Sequence, residues 1–349
     1  MREYYVVDTH SQDDMKRIKW VDTAKALGLF LVLWGHILYG GSEVGGVINK
    51  IIYSFHMPMY FLLSGYVMKS DSLSFADYFK SKFMRILLPA FIFYSATLPL
   101  YFFFLDYSTT TTSSVIRRIC YFDGQCAYNS PIWFFFCLFE VLLLTHLMKL
   151  TEANIKKLVL IILISCYLSY ACYVLKSQFF VFGIFGLDKC ILGLFFASFG
   201  ILLKRLRYER LMNGLCYITL PIWIVCGIWI NPKVSMYSSI FGNYFLFIIS
   251  ALTGSFFFLC LCKSIENCNI IRQYAKWTIF IVCSHYMLVT CFKWISSLLS
   301  IGGTYIFDIT SALFVIIALF FYKPLCEYVD NNIPVLMGNK TLCKRLLKE

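Results

Sequence analysis

The feature that most constrains this chain is a series of apolar runs that recur from Ala24 to Tyr322. Each run has about 18 residues or more, which as a helix is long enough to cross a hydrocarbon layer about 30 Å thick. Hydrophobic residues make up 60% of the 349 residues and charged residues only 14%, far less charge than a soluble domain carries. Lipid offers the backbone no hydrogen-bond partners, so the spans must be helical. The sequence therefore predicts an all-α, polytopic membrane helix bundle.

We predict about ten transmembrane helices in one domain that spans residues 24–322. An N-terminal segment, 1–23, precedes this domain, and a basic tail, 323–349, follows it. Most lysines and arginines then fall on one side of the membrane, so the positive-inside rule puts both termini in the cytoplasm. The predicted helices cover residues 24–43, 51–69, 86–105, 132–149, 157–175, 187–203, 214–231, 243–262, 276–299 and 304–322.

The formal net charge of +12 is explained by this topology, and we expect no nucleic-acid partner. The 15 cysteines lie mostly in apolar runs and show no zinc-finger spacing, which is typical of small buried side chains. Cys120 and Cys126 share one predicted outer loop. They could form a disulfide in an oxidising compartment or remain free thiols.

Four protonatable side chains on four predicted helices fall in one depth band: His36, His56, Glu140 and His285. Ionisable groups inside a membrane are costly, so they are functional candidates, although hydrogen bonding between helices is the alternative. Residue type alone would suit a metal, but no short ligand spacing is present, and we predict no metal site. Pro58, two residues after His56, removes a backbone hydrogen bond and predicts a kink one turn earlier.

The first predicted helix carries a cation and an imidazole along one face. Lys25 and His36 are 11 residues apart, which is close to three turns, and the helical rise separates them by roughly 16 Å. Asp22 precedes Lys25 by three residues and is its neighbour on that face. The pattern indicates a positive charge at the cytoplasmic mouth and a titratable group near mid-membrane.

Three residues at the helix ends allow two interpretations each. Lys82 and Arg85 lie at the inner end of the third predicted helix, where they serve either as topology signals or as a phosphate-binding mouth. Trp133 lies just inside an outer end, where it belongs either to the interfacial aromatic belt or beside an acceptor site.

At these residues the chain resembles acyltransferase family 3, the integral-membrane O-acyltransferases of bacterial envelopes. The block with Asp22, Lys25 and Gly35–His36 is similar to the first-helix signature of that family, and SFHMPMYFLLSGY, residues 54–66, to its second-helix block. KFMRILLP and PIWFFFCLFE resemble weaker later blocks, and a late helix that carries His285 is also typical. The resemblance spans about residues 17–290 and agrees with the ten-helix count.

Two positions depart from the family pattern. Lys25 stands where relatives usually have arginine, which indicates a branch similar to the fucose 4-O-acetylases. Lys276–Trp277–Thr278 precedes the ninth predicted helix, where relatives often have asparagine followed by serine or threonine.

The resemblance implies an O-acyltransferase that moves an acyl group, expected to be acetyl, from cytoplasmic acetyl-CoA. The implied acceptor is a hydroxyl of a cell-surface glycan or of its lipid-linked precursor. The implied location is the plasma (inner) membrane of a bacterium, where the chain crosses the bilayer several times. The expected partners are therefore the lipid bilayer, acyl-CoA and the glycan.

Within this interpretation we expect His36 to be the general base, because the unperturbed pKa of imidazole, near 6.5, lies close to working pH. Glu140 or His56 would orient His36 or stabilise developing charge. A two-step route through an acyl-His36 intermediate is an alternative. The residues expected to hold the donor phosphates at the inner mouth are Lys25, Lys82 and Arg85, and the further site candidates are Asp22, His285 and Trp133.

Two other classes of protein remain alternatives. A transporter that exports an acylated or anionic small molecule would also place polar groups at mid-membrane, but it predicts an inverted internal repeat that the sequence does not show. A membrane sensor or scaffold would leave the alignment of Lys25 with His36 without a role.

Overall fold

The computed structural model describes residues 17–70, 72–103, 111–120, 128–175, 186–210 and 212–338. Within these ranges the regular structure is helical, and the β-structure is one isolated bridge between Ser235 and Ile240. The prediction of an all-α bundle is confirmed for the part of the chain that is described. Whether Cys120 and Cys126 form a disulfide or remain free thiols falls outside the described side chains.

The helices follow one another with few long connections. In chain order they are α1 (Lys19–Ile37), α2 (Glu43–Tyr53), α3 (His56–Val67), α4 (Phe75–Lys82), α5 (Leu88–Phe103), α6 (Thr112–Cys120), α7 (Trp133–Leu147), α8 (Ile155–Leu175), α9 (Leu187–Arg205), α10 (Met212–Trp223), α11 (Tyr244–Ser264), α12 (Asn269–Arg272), α13 (Thr278–Leu298) and α14 (Tyr305–Asn332). Two π-helical segments, Phe83–Leu87 and Ile224–Ile230, continue α4 into α5 and extend α10. Short 3-10 turns occupy Leu38–Gly40, Ser130–Ile132, Tyr208–Arg210, Gln273–Trp277 and Pro334–Met337.

Six helical segments of the described residues are long and apolar enough to cross a membrane: Phe75–Phe103, Ser130–Leu147, Ile155–Leu175, Tyr244–Ser264, Asn269–Leu298 and Tyr305–Asn332. A shorter apolar segment covers Gly214–Ile230. The other predicted spans carry more charge or are interrupted. Helix α1 includes Lys19, Asp22 and Lys25, and the second predicted span is divided between α2 and α3. The count of ten spans therefore stays a prediction.

Several helix ends differ from the predicted ones. Helix α1 begins at Lys19 and ends at Ile37, whereas residues 24–43 were expected, so His36 lies in its last turn. Helix α14 continues to Asn332, ten residues beyond the expected end, so the first part of the predicted tail is helical. A helix can continue through polar residues as long as its backbone hydrogen bonds continue. The hydrophobicity of the sequence therefore predicts where the membrane region lies better than it predicts where a helix ends.

The second predicted span is broken at Ser54 and Phe55, one turn before Pro58, so the predicted kink is confirmed. Proline has no N–H for the Ser54 carbonyl, and its ring crowds the preceding turn. The Ser54 hydroxyl donates to the Ile51 carbonyl and accepts a hydrogen bond of 2.8 Å from the Trp223 indole. The break is thus supported by a neighbouring helix rather than left open.

The start of α2 is capped by a carboxylate from another helix. Asp308, buried near the start of α14, accepts hydrogen bonds from the backbone N–H groups of Ser42 at 3.1 Å and Gly45 at 3.0 Å, and from the Ser42 hydroxyl. A negative charge is stabilising at a helix N-terminus, where unpaired N–H groups carry partial positive charge. This contact fixes the turn that follows α1.

We call the end of the bundle at which α1 begins the basic end. There the Glu209 carboxylate accepts hydrogen bonds from the Trp20 indole at 3.3 Å and the Tyr66 hydroxyl at 2.7 Å, and Lys263 binds the Glu209 carbonyl. These contacts bring together the start of α1 and the ends of α3 and α11. Both ends of the described chain, residues 17 and 338, lie at the basic end, and its orientation toward the cytoplasm stays a prediction.

Helices α3 and α9 pack closely because glycine removes the side chain at two contact points. A Cβ atom on Gly65 would meet the Ala197 carbonyl oxygen, and one on Gly200 would meet the Leu62 carbonyl oxygen. Small residues let helix backbones approach each other in membrane proteins, where van der Waals packing drives association. This pair holds α3, which carries His56, against the rest of the bundle.

Replacing Gly65 with alanine should therefore destabilise the bundle. The new methyl group must displace backbone, and overpacking of this kind costs about 1–3 kcal/mol. Gly214→Ala is the matched control, since a Cβ atom there meets nothing within 4 Å. Thermal unfolding of the detergent-purified full chain should show a lower midpoint for Gly65→Ala only. Equal midpoints for the two variants would contradict the close packing of α3 and α9.

Candidate functional site

His36 is placed by the packing of α1 against α2. Gly35 lies against the side chains of Ile52 and Tyr53, and its carbonyl accepts a hydrogen bond of 2.6 Å from the Asn49 amide. The Gly35 carbonyl belongs to the last turn of α1, where no helical N–H is available for it. The bond from Asn49 therefore satisfies the helix end and orients the residue that follows.

Three aromatic rings surround the imidazole of His36. Its ring centroid lies 5.3 Å from that of His285 on α13, 6.0 Å from that of Tyr286 and 6.4 Å from that of Tyr53. Tyr53 in turn lies 5.0 Å from His56, between centroids. The structure thus joins three of the four residues in the predicted depth band, and we call these five rings the histidine cluster.

Two of the histidines have a defined proton position. Nδ1 of His285 lies 2.8 Å from the Val282 carbonyl oxygen, and Nδ1 of His56 lies 2.8 Å from the Ile52 carbonyl oxygen. A carbonyl only accepts, so each Nδ1 carries the proton and each Nε2 of a neutral ring has a lone pair. In the described part of the chain, Nε2 of His285 is buried without a hydrogen-bond partner, and no protein group hydrogen-bonds to His36.

A small cavity with a volume of about 30 Å³ adjoins His36. Its walls come from α1, α3, the start of α7 and the first half of α13. They are apolar apart from a few groups, one of which is the His36 imidazole. The lining residues are Val32, His36, Met57, Tyr60, Pro131, Trp133, Phe134, Phe135, Thr278 and Val282.

The cavity extends from His36 toward the basic end. Val32 lies one turn before His36 on α1, and Val282 and Thr278 lie three and seven residues before His285 on α13. Seven residues of helix correspond to about 10 Å. Tyr60 closes that side, and its hydroxyl donates a hydrogen bond of 2.9 Å to the Lys25 backbone carbonyl. Lys25 therefore lies next to the cavity at the side that faces the basic end.

Arg85 and Lys82 lie on another side of the same end. A Cβ atom on Gly338 would meet both the Arg85 carbonyl oxygen and Ile279, which is the neighbour of the lining residue Thr278. Lys82 places its ammonium 4.8 Å from the centroid of the Tyr78 ring. Arg85 is thus close to the region where the cavity begins, whereas Lys82 lies further out on α4.

The remaining predicted residues divide between the cavity and other contacts. Trp133 lines the cavity, but Glu140 does not, because it lies seven residues, or about 10 Å, further along the same face of α7. Phe136, one turn before Glu140, packs on Phe91 of α5 with ring centroids 5.1 Å apart. The Glu140 side of α7 therefore faces the α4–α5 side of the bundle.

Asp22 forms an ion pair of 2.8 Å with Arg17, just before α1. Its position at the start of the helix makes a carboxylate favourable there. In the described residues, no group of three or more histidine, cysteine or acidic side chains is arranged to hold a metal ion.

Sequence reasoning missed the tyrosines of the histidine cluster. Tyr53 precedes His56 by three residues, so the continuous helix predicted there would have put both on one face, a signal that could have been used. In the structure the two residues lie on either side of the break, at the end of α2 and the start of α3. Tyr286 is adjacent to His285 in the sequence, but its position beside His36 depends on the rotation of α13. Asn129 was also missed. Its side-chain amide donates a hydrogen bond of 2.7 Å to the Cys283 carbonyl, which fixes the start of α7 against α13.

The arrangement suits proton transfer to or from a bound hydroxyl. An imidazole with accessible nitrogens at the end of an apolar cavity can accept a proton while water is largely excluded.

The family model described as an acyltransferase domain, that of acyltransferase family 3, matches residues 18–323. The chain belongs to acyltransferase family 3. No curated protein and no solved structure matches it. The matched range of this acyltransferase includes the histidine cluster, the cavity and Lys25, and the predicted family is confirmed. The narrower likeness to fucose 4-O-acetylases stays a prediction.

The contact between Asn49 and Gly35 yields a direct test of how this acyltransferase orients His36. Asn49→Leu keeps the volume but leaves a buried carbonyl without its donor, which should lower the free energy of unfolding by about 1–3 kcal/mol. Asn332→Leu is the control, because the exposed Asn332 makes the same type of bond, to the Tyr328 carbonyl, at the end of α14. Thermal unfolding of both variants measures the difference, and an unchanged midpoint for Asn49→Leu would argue against this role.

Proposed function

We propose that this acyltransferase transfers an acetyl group from acetyl-CoA to a hydroxyl of a cell-surface glycan or its lipid-linked precursor. In this proposal it acts in the plasma membrane of a bacterium, with the basic end in the cytoplasm. The proposal depends on one observation: His36 lies at one end of a cavity, and the cavity extends from there toward the basic end. Family membership supports acyl transfer rather than the transporter alternative.

The basic end suits a CoA thioester. Its nucleotide carries phosphates, which lysine and arginine bind through charge-assisted hydrogen bonds. Lys25 and Arg85 lie near the start of the cavity, and Lys82 lies further out along α4. The pantetheine arm is thin and flexible, so it is the part of the donor that enters the narrow apolar cavity, whose walls must widen to admit it. The thioester carbon then reaches His36 while the charged part stays outside.

His36 acts as the general base in the transfer step. The acceptor oxygen forms a bond to the thioester carbonyl carbon as a nitrogen of His36 takes the hydroxyl proton. The carbon–sulfur bond then breaks, and the sulfur takes that proton from His36 and leaves as the CoA thiol. His285 and His56 flank the base, and a lone pair on His285 Nε2 would stabilise the imidazolium that forms. Glu140 lies toward the donor side of α7 and has no assigned part in proton transfer.

His36→Gln should abolish most transfer without unfolding the protein. Glutamine keeps a polar side chain of similar reach but cannot take the proton, and loss of a general base lowers kcat by about 10²–10⁴-fold. His146→Gln is the control, since the His146 ring stacks on Tyr78 with centroids 3.9 Å apart and does not line the cavity. Acetylation assays on the folded, monodisperse variants give the comparison. Near-normal turnover by His36→Gln would sink the assignment.

Lys25→Ala should weaken donor binding selectively. Loss of one charge-assisted contact to a phosphate is expected to raise KM for acetyl-CoA by about tenfold with a smaller change in kcat. Lys19→Ala removes a cation from the same helix, but the Lys19 ammonium is exposed and bonds to the Asn267 side chain at 3.2 Å. The donor KM of Lys19→Ala should therefore match that of the wild type. If Lys25→Ala also matches it, Lys25 does not bind the donor.

A further inference from the structure

Two lysines flank an exposed tyrosine on the side of His36 opposite the cavity. The ammonium of Lys233 lies 4.5 Å from the ring centroid of Tyr39, and that of Lys293 lies 5.9 Å from the same centroid. Tyr39 is 74% exposed, so its side chain is accessible to a ligand. We call Tyr39, Lys233 and Lys293 the dilysine site.

The dilysine site is connected to His36 through one ring. The Tyr53 centroid lies 5.8 Å from the Lys233 ammonium and 6.4 Å from the His36 ring centroid. Lys293 lies on the same helix as His285, eight residues later, which is about 12 Å further from the basic end. A ligand that touches the lysines could therefore also place a hydroxyl at His36.

A structured connection holds Lys233 in this position. The buried Asn231 side chain donates a hydrogen bond of 3.0 Å to the Phe241 carbonyl and accepts one of 2.8 Å from the Asn243 N–H. These two bonds close residues 231–243 into a compact loop. Tyr237 in this loop lies 6.4 Å from Trp133, between ring centroids, and Trp133 lines the cavity. The same loop thus borders the cavity and carries one of the two cations.

Both cations lack a partner carboxylate among the described residues. The salt bridges found there involve neither lysine, and Asp308, the buried carboxylate at this end, is bonded to Ser42 and Gly45. Lys50, a third lysine at this end, differs because its ammonium already binds the Ile228 carbonyl at 2.5 Å. Partial burial lowers the pKa of Lys233. A bound anion would offset that unfavourable desolvation.

We propose that the acceptor is an anionic glycan whose carboxylate or phosphate binds between Lys233 and Lys293, with a sugar ring over Tyr39. The inference rests on the proposed function and narrows its acceptor class. Two cations beside an aromatic ring are suited to an acidic sugar, because ammonium groups bind the anion while the ring contacts the apolar face of the sugar. The anion then lies on the acceptor side of His36, and the donor phosphates lie at the other end.

The test uses the full chain in nanodiscs of phosphatidylcholine, which adds no net lipid charge. The probes are cell-surface glycans from the source organism with this gene deleted, separated into fractions that an anion exchanger retains or does not retain. Binding is measured by the shift in thermal unfolding midpoint, and transfer by label incorporated from radioactive acetyl-CoA. Carboxyl reduction or phosphodiester cleavage of the retained fraction distinguishes the two kinds of anion.

We expect the retained fraction to raise the midpoint and to accept the label. Lys233→Met combined with Lys293→Met should weaken acceptor binding by about tenfold or more and leave the donor KM unchanged. Lys50→Met is the matched control, because it removes a cation from the same end but not from the dilysine site. Lys233→Arg should retain binding because it keeps the positive charge.

Two results would overturn the anion site: equal binding of both fractions, or unchanged binding of the retained fraction by the double variant. Absence of any binding would do the same. Binding of the retained fraction without transfer would uphold the site and contradict the proposed acetyl transfer. Transfer to the neutral fraction alone would support acetyl transfer and reject the anion site.

Discussion

The close contact of α1 with α2 and α3 holds His36 between the apolar cavity and the dilysine site. Gly28 makes this approach possible, because a Cβ atom there would lie 2.8 Å from Met59 and 2.9 Å from the Tyr60 hydroxyl. Gly35 does the same one layer further on, where Asn49 binds its carbonyl. The cavity takes part of its wall from α1 and α3, and Tyr39 of the dilysine site lies in the turn directly after α1, so a shift of α1 would disturb both.

The interruption of the second predicted span at Ser54 and Phe55 lets α2 and α3 contribute side chains to two different sites. Helix α2, capped by Asp308, brings Tyr53 between His36 and the dilysine site, whereas α3 runs along the cavity and ends at the basic end. A continuous helix would carry both sets of side chains in one fixed register. Such interruptions are tolerated inside a bundle only where other groups satisfy the freed backbone. Here the Ser54 hydroxyl donates to the Ile51 carbonyl, and Nδ1 of His56 donates to the Ile52 carbonyl.

Charge and apolar surface alternate along the path from one end to the other. The cavity walls are mainly apolar, so a thioester can enter but phosphates would lose their hydration. The lysines therefore lie outside the cavity: Lys25 on the side of the basic end, and Lys233 and Lys293 on the other side. His36 is the group between them that changes protonation during the proposed reaction. In the proposed reaction, an anionic donor and an anionic acceptor approach the same base from opposite directions.

The sequence by itself determined the helical class, the alignment of Lys25 with His36 and the break before Pro58. These depend on composition, on the helical period and on one missing N–H, all of which are local. Only the tertiary structure decided that His285 and Tyr53 meet His36 while Glu140 lies off the cavity wall. Residues at one depth can face any direction, and the rotation of each helix about its axis follows from how its neighbours pack. The same packing, together with the folded loop 231–243, brought Lys233 beside Tyr39, a contact between residues far apart in the chain.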